Sequence, residues 1–110
     1  MQVPLQVTFR DMEPSAAVEA RVREEAAELE QFHDRITRCR VVVEMPHRHQ
    51  HQGRLFAVRL DLSVPGRELV IGREPAERHA HEDVYVAIRD AFAAATRQLQ
   101  DLARRQRGQT

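Results

Sequence analysis

An alternation of large apolar residues with small or polar ones between positions 56 and 64 constrains the fold of this 110-residue chain more than any other feature. Apolar residues recur at every second position, which places their side chains on one face of a β-strand, and they are Phe56, Val58, Leu60, Leu62 and Val64. Pro65 and Gly66 follow, a pair typical of a type II turn. Because residues 68–73 then read as another strand, the sequence predicts an antiparallel hairpin with one buried face.

Two helices and two further strands are predicted around this hairpin. Residues 3–9 and 36–45 alternate in the same way and are predicted to be strands. Ser15 is predicted to cap a helix that runs to about residue 32, with the buried stripe Val18, Val22, Ala26, Leu29 and Phe32. A second helix is predicted from about residue 82 to 105, and its buried stripe is Val84, Ile88, Ala91, Ala95, Leu99 and Leu102, with Phe92 beside it.

The predicted order of elements, β-α-β-β-β-α, defines the fold class. A strand–helix–strand crossover is right-handed, and the remaining strands form an antiparallel meander. Both helices must cover the same face of the four-stranded sheet to bury their stripes. We therefore predict an α/β (α+β) two-layer sandwich, with a single domain over residues 1–107 and a frayed tail at 108–110. The open face of the sheet would carry Arg38, Arg40 and Arg59.

The charges are segregated along the chain although the formal net charge is zero. Acidic residues dominate positions 13–34, and arginines dominate positions 35–67 and the segment from 89 onward. Net charge therefore misrepresents the local electrostatic fields. All 17 basic residues are arginine. Arginine suits bidentate contacts to phosphate, although a GC-rich genome also produces such a bias.

Several classes of protein are disfavoured by the sequence. No stretch approaches the ~20 consecutive apolar residues of a membrane-spanning helix, and no export signal opens the chain. Cys39 is the single cysteine, so no internal disulfide forms, and a reducing cytoplasm is expected. No glycine-rich phosphate loop, acid pair or nucleophile–base pair stands out. We therefore expect neither an enzyme nor a small-molecule substrate.

Three segments carry a resemblance to a known family. They are Phe-His-Asp-Arg-Ile at 32–36, the valines at 41–43 and, most specifically, Glu-Asp-Val-Tyr-Val-Ala-Ile-Arg-Asp-Ala-Phe at 82–92 followed by Arg-Gln-Leu at 97–99. Together with the order of elements, these segments resemble the bacterial hibernation-promoting factors, also called ribosome-associated translation inhibitors. The resemblance extends from residue 3 to about residue 105.

The resemblance implies a protein that docks on the small ribosomal subunit during stress or starvation. Such a protein occupies the channel of messenger and transfer RNA, which blocks translation and protects idle ribosomes. Its contacts would be basic side chains on ribosomal RNA phosphates, and the arginines at family-like positions are Arg35, Arg38, Arg89, Arg97, Arg104 and Arg105. Two features depart from the family: the first helix is acidic where members usually carry lysines, and the second helix is less basic toward its end.

Further arginines are expected on the open sheet face and on the hairpin after the second strand. The full set of candidate RNA-binding residues is Arg35, Arg38, Arg40, Arg48, Arg54, Arg59, Arg89, Arg97, Arg104 and Arg105. The alternative is a solvated surface with a few ion pairs. A second alternative is an RNA-binding stress module fused to, or working with, another domain. With one Tyr, four Phe and no Trp, no aromatic platform for stacking RNA bases is evident.

Two groups of alternating histidines precede the third strand and the second helix. They are His47, His49 and His51 in the first loop and His79 and His81 in the second. The meander places both loops at the same end of the sheet. Neutral imidazole is a good ligand for zinc and other divalent transition metals, so a metal site is one hypothesis. The alternatives are an RNA contact that gains charge toward pH ~6.5, adventitious metal binding, and a cap on the second helix.

Overall fold

The computed structural model describes residues 3–46, 55–75 and 79–107 and confirms the predicted order of elements. The elements are the strands β1 (Leu5–Arg10), β2 (Arg38–Glu44), β3 (Ala57–Val64) and β4 (Arg67–Ile71) and the helices α1 (Ala16–Phe32) and α2 (Val84–Arg107). The tail predicted at 108–110 lies outside the described residues. Within the described ranges, no helix is both long and apolar enough to cross a membrane.

The sheet has four strands in the order β1-β2-β3-β4. β1 runs parallel to β2, with Leu5 opposite Cys39, because α1 carries the chain back between them. β2, β3 and β4 form the expected antiparallel meander, in which Cys39 lies opposite Leu62 and Leu62 opposite Leu69. These residues therefore share one face of the sheet, the face on which both helices pack. The predicted two-layer α+β sandwich is confirmed.

The core lies between this face and the two helices. Its largest fully buried side chains come from both layers and are Val22, Val41, Val43, Leu60, Leu62 and Ile88. All six are apolar, and the described residues contain no buried polar or charged side chain. Burial of apolar surface therefore stabilises the fold, at roughly 1.5–3 kcal/mol for each fully buried Val, Leu or Ile.

Short-range hydrogen bonds fix where the two helices begin. As predicted, Ser15 caps α1, since its side-chain oxygen accepts the Val18 N–H at 3.2 Å. α2 begins two residues later than predicted, at Val84, because Asp83 is the cap. The Asp83 carboxylate accepts the Tyr85 N–H at 2.9 Å. The predicted cap by His79 or His81 is therefore wrong, and the Nδ1 atom of His81 instead accepts the Asp83 N–H at 3.0 Å.

Two glycines adopt backbone conformations that other residues rarely adopt. Gly66 has a φ of 76°, as the predicted type II turn between β3 and β4 requires. Gly72 follows β4 with a φ of 79°, and a Cβ atom placed there would lie 2.6 Å from the Val58 carbonyl oxygen. The chain therefore leaves β4 so close beside β3 that a side chain at this position has no room.

Phe32 does not belong to the buried stripe of α1, contrary to the prediction. Val18, Val22, Ala26 and Leu29 are buried, but Phe32 is 70% exposed. It is the last residue of the helix, and it lies on the flank that faces α2, beside Thr96 and Gln100. The groove between the helices stays open there, so no residue of ranges 3–46, 55–75 and 79–107 covers the ring.

Candidate nucleic-acid interface

The open face of the sheet carries three of the candidate arginines, as predicted. Arg38 and Arg40 alternate with the buried residues of β2, and Arg59 does the same on β3; all three are exposed. We call them the sheet arginines. Arg40 lies opposite Asp61 in the pairing of β2 with β3. The Asp61 carboxylate accepts a hydrogen bond from the Arg59 Nε–H at 3.3 Å. Arg59 is therefore the sheet arginine with an ion pair among the described residues.

Arg10 is an additional basic residue on this face that the sequence analysis did not identify. It ends β1, is exposed, and lies opposite Glu44 in the pairing with β2. The alternation of the first strand indicates that Arg10 lies on the open face, because Arg10 continues the polar series of Gln6 and Thr8. The prediction ended the strand at residue 9 and thereby left Arg10 out.

A second group of arginines follows the outer side of α2. Arg89, Arg97 and Arg104 are exposed and are spaced by about two helical turns, so they lie on one side of the helix. We call them the arginine stripe. The Arg89 Nη2 atom lies 3.4 Å from an Asp90 carboxylate oxygen, and Arg104 forms an ion pair with Asp101. Exposed ion pairs of this kind contribute only about 0–1 kcal/mol, so a phosphate group can replace the carboxylate.

Four candidate arginines belong to neither of these two groups. Arg35 is exposed in the turn between α1 and β2, and Arg105 is exposed beside the arginine stripe. Arg97 and these two arginines make no ion pair within the described part of the chain. Arg48 and Arg54 lie outside the described residues.

The sheet arginines and the arginine stripe lie on opposite outer surfaces of the sandwich. The sheet arginines project from the side of the sheet that bears no helix, whereas the arginine stripe projects from the helical layer away from the sheet. The structure therefore does not bring the candidate residues together into one flat patch. It forms two basic surfaces with the apolar core between them.

The outer side of α1 borders the arginine stripe with negative charge. Glu25 and Glu28 line the groove between the helices, a cavity of about 580 Å³ that Arg89 also lines. Part of the acidic charge is paired within α1, since Arg21 lies 3.0 Å from Glu25. Glu24 and Glu28 are exposed on the same helix. α1 therefore repels phosphate, and it limits any RNA contact of the helical layer to the α2 side.

The histidines of the second loop have partners of their own. His81 exchanges backbone hydrogen bonds with Phe56, which confirms that the second loop lies beside the residues that follow the first. The Nδ1 atom of His79 is buried and lies 3.4 Å from a Glu74 carboxylate oxygen, without the geometry of a hydrogen bond. His47, His49 and His51 lie outside the described residues, and the described ones contain no group of three potential metal ligands. The metal site stays a prediction.

Cys39 is the only residue whose ionisation is clearly shifted within the described ranges. Burial raises the pKa of its thiol from 9.0 to about 11, and the negative charge of Asp61 adds to the effect. At neutral pH the thiol is therefore protonated and a poor nucleophile. This agrees with its predicted place in the core.

Solved structures with the same fold are known. A ribosomal subunit interface protein from Coxiella burnetii aligns with a TM-score of 0.73 at 13% sequence identity, covering 92% of this chain and 98% of that one. The N-terminal domain of Thermus thermophilus Protein Y aligns with a TM-score of 0.68 at 18% identity, covering 93% of this chain and 99% of the domain. A search of curated protein sequences gives no match.

Membership of a family follows from the sequence itself. Residues 5–107 match the family described as Sigma 54 modulation protein / S30EA ribosomal protein. The match begins where β1 begins and ends where α2 ends, so it includes all six elements of the sandwich. It confirms the resemblance found in the sequence. The chain belongs to the Sigma 54 modulation protein / S30EA ribosomal protein family.

Proposed function

We propose that this protein binds the small ribosomal subunit through ribosomal RNA phosphates and lowers translation under stress. The observation that carries the proposal is the pair of basic surfaces, the sheet arginines and the arginine stripe, on a fold of this family. Arginine side chains on both surfaces are exposed, and the ion pairs that some of them form with nearby carboxylates contribute little stability. Phosphate contacts of this kind supply affinity without reading base sequence.

The opposite placement of the two basic surfaces suits a cleft better than a flat surface. A flat RNA surface meets one layer of the sandwich and leaves the other layer in solvent. A cleft with RNA on both walls meets the sheet arginines and the arginine stripe together. The acidic outer side of α1 lies beside the arginine stripe, so it would restrict RNA contact on that wall to the α2 side and would favour a single orientation.

The proposed mechanism is occlusion, with no chemical step. A folded domain that fills the channel of messenger and transfer RNA prevents both from binding by its volume alone. The arginines would hold the domain in place, and the protein would need neither a cofactor nor a catalytic residue. Its natural compartment is then the cytoplasm, where ribosomes are found.

Sedimentation with purified small ribosomal subunits through a sucrose cushion tests the proposal. We expect salt-sensitive pelleting that weakens strongly in an Arg97→Glu, Arg104→Glu variant, because both changes place negative charge on the arginine stripe. The matched control is Arg73→Glu, an exposed arginine outside both basic surfaces, which should pellet as the wild type does. Wild-type protein that stays in the supernatant at low salt would refute the proposal.

A translation assay separates occlusion from simple binding. Protein added to a cell-free bacterial translation reaction should lower the yield in proportion to the fraction of subunits occupied. Binding without inhibition would instead indicate an RNA-binding module that works with another domain.

A further inference from the structure

Phe32 is the most exposed large hydrophobic residue within the described ranges. Its side chain is 70% exposed, and Tyr85 is the only other large apolar residue of this kind, at 38%. The two differ in their surroundings, because the Arg21 guanidinium lies over the Tyr85 ring, 5.8 Å from its centre. Among the residues that the structure describes, none makes a comparable contact with Phe32.

An apolar recess adjoins the Phe32 ring. It lies at the end of the sandwich where both helices finish, and it has a volume of about 250 Å³. Most of its lining is apolar and comes from α2 and the turn after β3, namely Val64, Pro65, Leu99, Leu102 and Ala103. Phe32 also lines the groove between the helices, so its ring stands where the groove and the recess meet.

Two arginines flank this recess. Arg35 lines it directly, and Arg67 follows the Pro65-Gly66 turn at its edge, in register with Val64. Both side chains are exposed, and neither forms an ion pair with another described residue. Asp34 is the single acidic residue in the lining. Within the lining Arg35 offsets Asp34, and the net positive charge comes from Arg67, the strand partner of the lining residue Val64. The recess therefore joins an aromatic face and an apolar floor to this positive edge.

We propose that this recess binds one unpaired nucleotide of RNA, with its base stacked on Phe32 and its phosphate held by Arg35 and Arg67. Unpaired RNA bases are commonly held by stacking on aromatic side chains while arginine contacts the backbone. The positive edge favours this occupant over an apolar segment of a protein. The inference rests on the RNA-binding function proposed above, and it adds a base contact to a surface of phosphate contacts.

Phe32 would therefore add affinity only for RNA that carries a base, whereas phosphate contacts bind RNA with or without one. Fluorescence anisotropy with a short labelled single-stranded oligouridine, and with a matched oligomer of abasic ribose phosphate, separates the two kinds of contact. We expect Phe32→Ala to weaken binding of the oligouridine about 5- to 150-fold, the range for one base stacked on an aromatic side chain. Binding of the abasic oligomer should be unchanged.

Three further variants sharpen the test. Phe32→Tyr keeps an aromatic face and should bind as the wild type does. Tyr85→Ala, the matched control at the other end of the interhelical groove, should leave both affinities unchanged. Arg35→Ala, Arg67→Ala should weaken binding of both oligomers alike and lower the salt dependence, because it removes phosphate contacts.

The possible results distinguish this site from the general function. Salt-sensitive binding of both oligomers by the wild type, with no effect of Phe32→Ala, overturns the nucleotide site and leaves RNA binding in place. Equal losses for both oligomers, or a lowered melting temperature, overturn it as well, since Phe32 would then be structural. Loss of pelleting with ribosomal subunits at unchanged oligomer affinity would assign the ring to a protein partner. A wild type that binds neither oligomer nor subunit removes the general function and the site together.

Discussion

Phe56 and His81 donate their backbone N–H groups to each other's carbonyl oxygens, at 2.7 and 2.8 Å. This isolated antiparallel bridge joins the start of β3 to the segment that leads into α2. It holds His81 beside the residues that follow positions 47–54, although these segments are far apart in sequence. The same histidine supports the cap of α2, because its Nδ1 atom accepts the Asp83 N–H.

The Phe56–His81 bridge makes the metal hypothesis testable. While its Nδ1 atom accepts the Asp83 N–H, the neutral ring of His81 carries its proton on Nε2. Binding a metal through Nε2 would move that proton to Nδ1 and break this hydrogen bond, and His49 is a candidate second ligand. We expect zinc at about 100 times its Kd to raise the free energy of unfolding by about 2.7 kcal/mol. Thermal melts with and without zinc should show this rise for the wild type and not for a His49→Ala, His81→Ala variant. His33→Ala, at the far end of α1, is the control that keeps the response; a wild type without a response to zinc would refute the site.

Binding within a cleft predicts that arginines of both layers contribute to the salt dependence. For small-subunit binding, log K falls as log salt rises. We expect Arg38→Ala, Arg40→Ala to make this slope less steep by about 2, roughly 1 per phosphate contact. A pair on α2, Arg97→Ala, Arg105→Ala, should lower it by a similar amount, and the combined variant by about 4. Titrations at several salt concentrations provide the slopes. If one pair leaves the slope unchanged, RNA lies on a single side of the protein.

The buried thiol of Cys39 predicts a loss of stability at alkaline pH. Its pKa is raised from 9.0 to about 11 in the folded state, so the unfolded chain releases this proton first as the pH rises. The stabilising contribution is fully present below pH 9.0 and is lost between pH 9.0 and about 11, by up to about 3 kcal/mol. Urea unfolding across this range should show the loss in the wild type. The dependence should be smaller in Cys39→Val, and equal dependence in both proteins would contradict the prediction.

The two glycines with positive φ predict different costs of the same substitution. Gly66→Ala meets no atom within 4 Å, so its cost comes from the backbone alone, about 1–2 kcal/mol. Gly72→Ala adds a contact of 2.6 Å between the new Cβ atom and the Val58 carbonyl oxygen, so we expect a clearly larger loss. Chemical denaturation of both variants measures the difference. Equal losses would show that β4 shifts easily away from β3.

Regular elements of this fold were predictable from sequence because each depends on a local pattern. The alternation on β3 and the Ser15 cap needed no knowledge of distant residues. Phe32 shows the limit: its spacing from Leu29 fits a buried stripe, but its burial depends on what α2 places opposite it. The start of α2 was predicted two residues too early, because the cap is Asp83, whose carboxylate accepts the Tyr85 N–H, and not His79 or His81.

The candidate interface was predictable in composition and only partly in arrangement. Alternation assigned Arg38, Arg40 and Arg59 correctly to the open face. Arg89, Arg97 and Arg104 were named only as arginines at family-like positions, and the structure shows that they lie on one side of α2. The predicted architecture already implied that the sheet and α2 arginines lie on opposite sides of the sandwich, but the sequence analysis treated them as one set of RNA-binding residues. The sequence analysis did not identify Arg67 as a candidate. Arg67 lies beside a recess that two helix ends and a turn form together, and no local pattern predicts that recess.

The parallel pairing of β1 with β2 has a consequence for the order of folding. β2, β3 and β4 are joined by direct connections, whereas Leu5 reaches Cys39 only after the whole of α1 has folded back. Closing this longer loop costs more chain entropy, so β1 should join the sheet late. It is also an edge strand, with a neighbour on one side only. We therefore expect its amide hydrogens to exchange with solvent before those of β2 and β3, as the first cooperative unit to open under native conditions.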